Sequence, residues 1–110
     1  MFYIAGLYKF KKILNIKKNK KKLQVFFIKN NIRGTVIISK EGINGTISSN
    51  KRNLNLALSK IKNIFKFNNF DSQNLSKSKF QVFHRAKVKI KKEVVPMGIK
   101  IFKRKLKNHV

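Results

Sequence analysis

Apolar and polar side chains alternate along two stretches near the ends of the chain. Residues 2–13 place Tyr8 and Phe10 on one side and Lys9 on the other, which is the period of two that a strand produces. The same alternation runs through residues 80–92. One face of that second stretch consists of Val82, His84, Ala86, Val88 and Ile90. We therefore expect a strand in each stretch, with His84 packed inward on the second.

Two further stretches repeat their apolar side chains at helical spacing. Residues 16–31 place Ile16, Leu23, Phe26 and Phe27 on one face, and a lysine-rich run covers the other side. Past residue 50 the spacing i, i+3, i+4, i+7 recurs at Leu54, Ala57, Leu58, Ile61, Ile64 and Phe65. Each pattern predicts an amphipathic helix, and Asn50 or Ser49 is suited to cap the second one.

Between the two predicted helices lies the stretch 34–49, which reads GTVIISKEGINGTISS. Its β-branched beginning and its alternating end predict two strands. Gly42 and Gly45 bracket Ile43 and Asn44, and glycine and asparagine tolerate the backbone of tight turns, so we expect the turn there. Glu41 stands beside this turn; it either accepts backbone N–H bonds or contacts a substrate or partner.

The elements follow the order β-α-β-β-α-β, which predicts an α+β, ferredoxin-like fold. We expect one four-stranded antiparallel sheet with both helices on one face. Residues 67–79 are polar and irregular and predict a loop in which Phe70 or Leu75 packs on the core. Residues 1–92 would form this domain, and residues 93–110 would form an extended basic tail or linker, since Pro96 and Gly98 interrupt regular structure there.

Composition limits the chemistry that the chain can perform. It has no cysteine, two histidines and three acidic residues, which excludes disulfides and thiolate metal sites and makes a self-contained metal centre unexpected. The formal net charge of +25 predicts affinity for polyanions without predicting sequence specificity. The apolar start, residues 1–8, is too short to cross a bilayer, so we expect a cytoplasmic protein. The sequence shows no cofactor-binding motif, so we expect no cofactor.

The second face of the stretch 80–92 carries the clearest binding pattern. Every other side chain is a cation, and neighbours on one face of a strand lie roughly 6.7 Å apart. If the first and last strands are neighbours, two lysines of the first strand extend this row. Phe83 lies at its end and is suited to stack on a base. The predicted RNA-binding residues are Lys9, Lys11, Phe83, Arg85, Lys87, Lys89 and Lys91. The alternative is a solvated strand whose lysines deter edge-to-edge aggregation.

Three blocks of sequence resemble a known family. YKF at 8–10, GTVIISKEGINGTI at 34–47 and FHRAKVKIKKEVVPMG at 83–98 are similar to the N-terminal, acylphosphatase-like domain of the rhodanese-containing tRNA uridine hydroxylases. The resemblance implies a protein that uses molecular oxygen to form 5-hydroxyuridine at wobble position 34 of tRNA. Its motif loop corresponds here to Glu41, Gly42, Asn44 and Gly45.

In that family a rhodanese domain with an active-site cysteine follows this one. The present sequence ends at Val110 and contains no cysteine, so no catalytic residue is assigned to it. A fragment, a split gene with a separate rhodanese-domain chain, and a decayed remnant all fit the sequence. We expect a tRNA-binding domain that is inactive alone. The alternative is a stand-alone basic RNA-binding or ribosome-associated protein. An acylphosphatase is disfavoured, because Asn15 to Lys17 supply no arginine where that enzyme needs one.

Overall fold

A computed structural model describes residues 1–92 of the chain as five strands and two helices. The elements are β1 (Phe2–Phe10), α1 (Ile16–Lys29), β2 (Arg33–Ser39), β3 (Gly42–Ser49), α2 (Lys51–Phe65), β4 (Ser72–Ser78) and β5 (Ala86–Ile90). The predicted tail or linker at 93–110, including Pro96 and Gly98, lies outside the described residues.

The strands form one mixed sheet in the order β4-β1-β3-β2-β5. Neighbouring strands are antiparallel except for β5, which runs parallel to β2. The α+β, ferredoxin-like class is therefore confirmed, but the expected four-stranded antiparallel sheet is wrong. A fifth strand, β4, occupies the free edge of β1, and this moves β5 to the opposite edge of the sheet.

The strand β4 arises from the stretch expected to be a loop. Its sequence, SQNLSKS, has no apolar alternation, and Leu75 is 64% exposed. The strand forms because its backbone pairs with β1 from Phe2 to Tyr8. Phe70 or Leu75 was expected on the core, and Phe70 packs there; its ring meets that of Phe67 edge to face, with the ring centroids 5.1 Å apart.

The core lies between the two helices and one face of the sheet. The prediction for the second helix is confirmed, since Leu54, Ala57, Leu58, Ile61 and Phe65 are all buried. Asn50 caps this helix, and its side-chain oxygen accepts the Asn53 N–H at 2.8 Å. On α1, Leu23 and Phe27 are buried, while Ile16 and Phe26 pack at the margin of the core. No helix within residues 1–92 is long and apolar enough to cross a membrane.

The connection at 79–85 reaches β5 past one end of the sheet. The Gln81 side-chain amide donates to the Ser48 carbonyl at 3.2 Å, and the regular pairing of β5 begins only at Ala86. The long strand expected at 80–92 is therefore shortened at both ends. His84 lies on this connection and is exposed, so its expected inward packing is wrong.

Candidate nucleic-acid interface

The sheet has one face covered by helices and one face that neither helix covers. Directly paired residues lie on the same face, so the register assigns each side chain. Val36, Ile38 and Val88 belong to the buried face. Lys87 and Lys89 pair with Thr35 and Ile37, which places both lysines on the other side of the sheet. We call that side the open face.

The structure brings the four predicted cations of the last strand into one row. Pairing with β2 continues beyond both ends of β5, because the Gly34 N–H donates to the Arg85 carbonyl and the Lys91 N–H donates to the Ile38 carbonyl, each at 2.9 Å. The alternation therefore extends through all four side chains, and all are exposed. We call this set the β5 row: Arg85, Lys87, Lys89 and Lys91.

A glutamine on α1 holds the outer edge of this strand. The Gln24 side-chain amide donates to the Ala86 carbonyl at 2.9 Å, and its carbonyl oxygen accepts the Val88 N–H at 2.9 Å. One side chain thereby satisfies the hydrogen bonding of two backbone groups that would otherwise be unpaired at the edge of the sheet. These bonds fix the backbone on both sides of Lys87, so the β5 row sits on a constrained strand.

The two lysines expected to extend the row lie elsewhere. β3 and β2 stand between β1 and β5, which corresponds to roughly 14 Å at the usual interstrand spacing. Lys9 also belongs to the helix-covered face: its Nζ is 3.4 Å from Asp71 Oδ1 and 5.4 Å from the Phe67 ring centroid. Lys11 follows the end of β1, where its N–H donates to the Glu41 carbonyl. The expectation that the first and last strands are neighbours was wrong.

Phe83 lies on the connection before β5. It is half-buried, and its N–H donates to the Gln81 side-chain oxygen at 3.3 Å. The residue therefore precedes the β5 row in sequence but is not part of the strand, and a stacking role for it stays a prediction.

The turn between β2 and β3 is displaced from its expected position. Lys40 and Glu41 form it, and the residues from Gly42 to Gly45 belong to β3. Gly45 allows close strand contact, since a Cβ there would collide with the Thr35 carbonyl. The Glu41 backbone accepts from Lys11 and donates to Ser39 Oγ, which ties the turn to β1 and β2.

The described part of the chain has two acidic residues, and both lie near Tyr8. The Asp71 carboxylate accepts the Phe10 N–H at 2.7 Å, and the Asp71 N–H donates to the Tyr8 carbonyl. Burial raises the pKa of the Tyr8 hydroxyl, and the carboxylates of Asp71 and Glu41 raise it further. The Tyr8 hydroxyl is therefore protonated at neutral pH. Residues 1–92 contain no group of three or more side chains suited to bind a metal ion.

Reasoning from the sequence missed the interior of the open face. Tyr8, Asn44 and Ile37 are paired in succession across β1, β3 and β2 and end at Lys89 on β5. The alternation in residues 2–13 was the available signal, because it placed Tyr8 and Phe10 together.

Residues 2–94 match a protein family described as the UPF0176 acylphosphatase-like domain. A curated tRNA uridine(34) hydroxylase of Pelagibacter ubique (strain HTCC1062) is 57% identical over 111 residues, which takes in 100% of this chain and 37% of the relative. The chain thus spans little more than a third of that protein's length.

Solved structures share the fold at low sequence identity. An acylphosphatase from Bacillus subtilis aligns with a TM-score of 0.56 and 13% identity over 80% of this chain and 98% of its own. A bacterial light-regulated adenylyl cyclase aligns with a TM-score of 0.61 and 13% identity over 98% of this chain and 33% of its own. Full-length HypF, in a phosphate- and nucleotide-bound form, aligns with a TM-score of 0.58 and 14% identity over 87% of this chain and 13% of its own. At these identities the alignments establish the fold alone.

Proposed function

Because the chain belongs to the family of UPF0176 acylphosphatase-like domains, we propose that it is the RNA-binding part of a tRNA uridine(34) hydroxylase. The family resemblance predicted from the sequence is confirmed, and the relative named for that activity is 57% identical to this chain. The substrate of this chain would accordingly be tRNA, and the reaction 5-hydroxyuridine formation at position 34. We expect the protein to act in the cytoplasm.

The single observation that carries the RNA-binding assignment is the β5 row on the open face. Four exposed cations project from one extended segment, and the side chains of β-strand residues two apart are roughly 6.7 Å apart. Such a row follows a phosphate backbone, and the net charge of +25 favours the encounter at long range. The bonds from Gln24 reduce the freedom that the strand would lose on binding RNA.

Catalysis is assigned to a part of the protein outside residues 1–92. This range contains no cysteine and no metal-binding group, and the relative is far longer than this chain. We propose a rhodanese domain, on the same or on a separate chain, as the partner that supplies the chemistry. Purified chain incubated in air with unmodified tRNA would form no 5-hydroxyuridine by nucleoside mass spectrometry. Product formed without added protein would place the active site in this chain.

The acylphosphatase likeness does not extend to a comparable site. An open depression of about 670 Å³ lies at the start of α1, and its lining includes Lys12, Lys17, Lys18 and Lys40 but no arginine. Acyl phosphate hydrolysis by this chain is therefore not proposed.

Salt dependence of RNA binding tests the proposal. Each phosphate contact contributes about 0.7 to the slope of log affinity against log salt for a single strand. Changing the four residues of the β5 row to Gln would therefore lower the slope by roughly 3. Binding of a labelled anticodon stem-loop is measured by fluorescence anisotropy over a series of salt concentrations.

A matched control removes one arginine and three lysines from the helix layer. These residues, Lys22, Lys51, Arg52 and Lys66, are all exposed. Lys17, Lys20 and Lys21 are unsuitable because they line one surface depression together with Ile90 of β5. The control variant should lose much less slope than the β5-row variant. Equal losses would show that the chain binds RNA as a diffuse polycation, and the proposed interface would be wrong.

A further inference from the structure

One glycine of the open face is not required by the fold. A Cβ on Gly34, Gly42 or Gly45 would collide with a backbone carbonyl, and the first two also have a positive φ. Gly6 differs from them: an added Cβ would lie 4.0 Å from Asn74 Cβ and 4.0 Å from Thr46 Oγ1, at ordinary contact distance. Its φ is not positive. Neither packing nor backbone conformation therefore requires glycine at this position.

A glycine inside a strand weakens the strand and often marks a place where a ligand approaches the backbone closely. Gly6 lies within β1, an interior strand of the sheet, and alanine there would be more favourable by roughly 0.5–1 kcal/mol. Because glycine has no side chain, the backbone of β1 itself forms the open face at this position, and we call this place the hollow. Ile4 and Tyr8 are the next residues on the same face of β1, and they flank the hollow along the strand.

The hollow is continuous with the β5 row through the register of the sheet. Gly6 pairs with Asn74 on β4 and with Thr46 on β3, Thr46 pairs with Thr35, and Thr35 pairs with Lys87. A flat backbone floor is thus bordered by an aromatic ring, an amide and hydroxyl groups. The cations of the β5 row lie three strands from β1, beyond β3 and β2. Ligands that are flat, polar at the edge and attached to an anionic backbone fit this arrangement.

We propose that a base of single-stranded RNA lies on Gly6 and stacks against Tyr8 while its backbone runs toward the β5 row. This inference rests on the proposed function and specifies its contact with the bases. The four-stranded sheet of a common RNA-binding module stacks unpaired bases on aromatic side chains in this way, and unpaired bases are the part of RNA that proteins read most readily. A tyrosine hydroxyl is protonated at neutral pH, so that of Tyr8 is available as a donor near the edge of the base.

Charge favours RNA over an apolar protein surface as the occupant. The open face carries Arg33 on β2 and Lys87 and Lys89 on β5, in a chain of net charge +25. An interface core with another protein domain is usually depleted of charge. Thr46 and Asn74 are also exposed and polar, and they supply hydrogen-bonding groups where a base edge would lie.

The test uses Gly6→Val, which fills the hollow where the structure has room. Strand propensity favours valine, so the thermal midpoint should be unchanged or higher. The affinity for labelled oligouridine should fall about tenfold or more, since one stacked base is lost. Tyr8→Leu should lose a similar factor, and Tyr8→Phe should retain most of the affinity because its ring still stacks. Gln73→Val on β4 adds an apolar side chain on the helix-covered face of the sheet and should bind as the wild type does.

The outcomes separate this inference from the proposed function. Wild-type affinity in Gly6→Val, together with a reduced salt slope in the β5-row variant, would overturn the stacking inference and leave the proposed function intact. Wild-type behaviour in both variants would overturn both. If Gly6→Val fails to fold, Gly6→Ala and Tyr8→Leu decide the question by the same affinity measurement. Unchanged RNA affinity with lost binding of a separately expressed rhodanese domain would assign the hollow to protein docking, which also contradicts the inference.

Discussion

Replacing Gln24 by methionine removes the side-chain amide that bonds to β5 while keeping a similar side-chain length. Two hydrogen bonds of 2.9 Å are lost, one that the Gln24 amide donates to the Ala86 carbonyl and one that its oxygen accepts from the Val88 N–H. Both groups face away from β2, and no other strand within residues 1–92 lies on that side to take over the pairing. The variant therefore tests whether α1 holds the strand that carries the β5 row.

The expected loss follows from the number of bonds and their partial burial. A typical hydrogen bond contributes about 0.5–1.5 kcal/mol net, so two bonds predict a loss of about 1–3 kcal/mol in the free energy of unfolding. For a domain of this size each kcal/mol corresponds to about 4–8 °C in the thermal midpoint. Gln73→Met supplies a matched control, because Gln73 is exposed on β4.

Denaturant unfolding measures the loss, and amide hydrogen exchange locates it. The Val88 N–H is bonded to the glutamine and not to β2, so its exchange should accelerate about tenfold or more in Gln24→Met. The exchange rates of amides in the interior strand β3 should change only as far as the global free energy of unfolding changes. A Gln24→Met stability within about 0.5 kcal/mol of the Gln73→Met control, or an unchanged Val88 exchange rate, would refute the constraint on β5.

Three further predictions concern the core, the hairpin and the tyrosine. Leu58 is 7% exposed, so Leu58→Ala should lower the free energy of unfolding by about 2–5 kcal/mol, and a loss under about 0.5 kcal/mol in denaturant would contradict its place in the core. Gly45→Ala should lose about 1–3 kcal/mol or more by collision with the Thr35 carbonyl, whereas Gly6→Ala should lose nothing; equal thermal midpoints would refute the distinction. The raised pKa of Tyr8 means that the folded chain keeps a proton which the unfolded chain releases above pH 10.0, so this contribution to stability falls as pH rises through that range. The sequence has two tyrosines, so Tyr8→Phe should remove only the part of the tyrosinate absorbance change that Tyr8 contributes above that pH, and an absorbance profile unchanged in amplitude and pH range would refute the assignment.

The helices were predictable because their apolar periodicity coincides with the packing that stabilises them. On α2 the spacing of Leu54, Leu58, Ile61 and Phe65 is sufficient to identify the buried face. The strand β4 was not predictable in this way, because its stability comes from backbone pairing with β1 and its side chains are mostly exposed. Once that edge is occupied, the last strand has to pair with β2 instead.

The candidate site was predictable only in part, for a related reason. Alternation along one strand predicted that Lys87 and Lys89 share a face, and the register confirms it. Which residues lie beside them depends on the strand order, and that order depends on β4. The role of the hairpin glycines was also ambiguous from the sequence. Gly45 is needed because a side chain there would collide with the neighbouring strand, but the sequence does not distinguish such a glycine from one that forms a turn.

Amide chemical-shift mapping during titration with the anticodon stem-loop tests the central claim most directly. We predict that the largest shifts fall on open-face residues of four strands, including Tyr8, Asn44, Thr35 and Lys89. Exposed residues of α2 such as Arg52 should shift little at the same RNA concentration. Shifts concentrated on the helices, or spread evenly over all exposed lysines, would contradict an RNA-binding surface on the open face of the sheet.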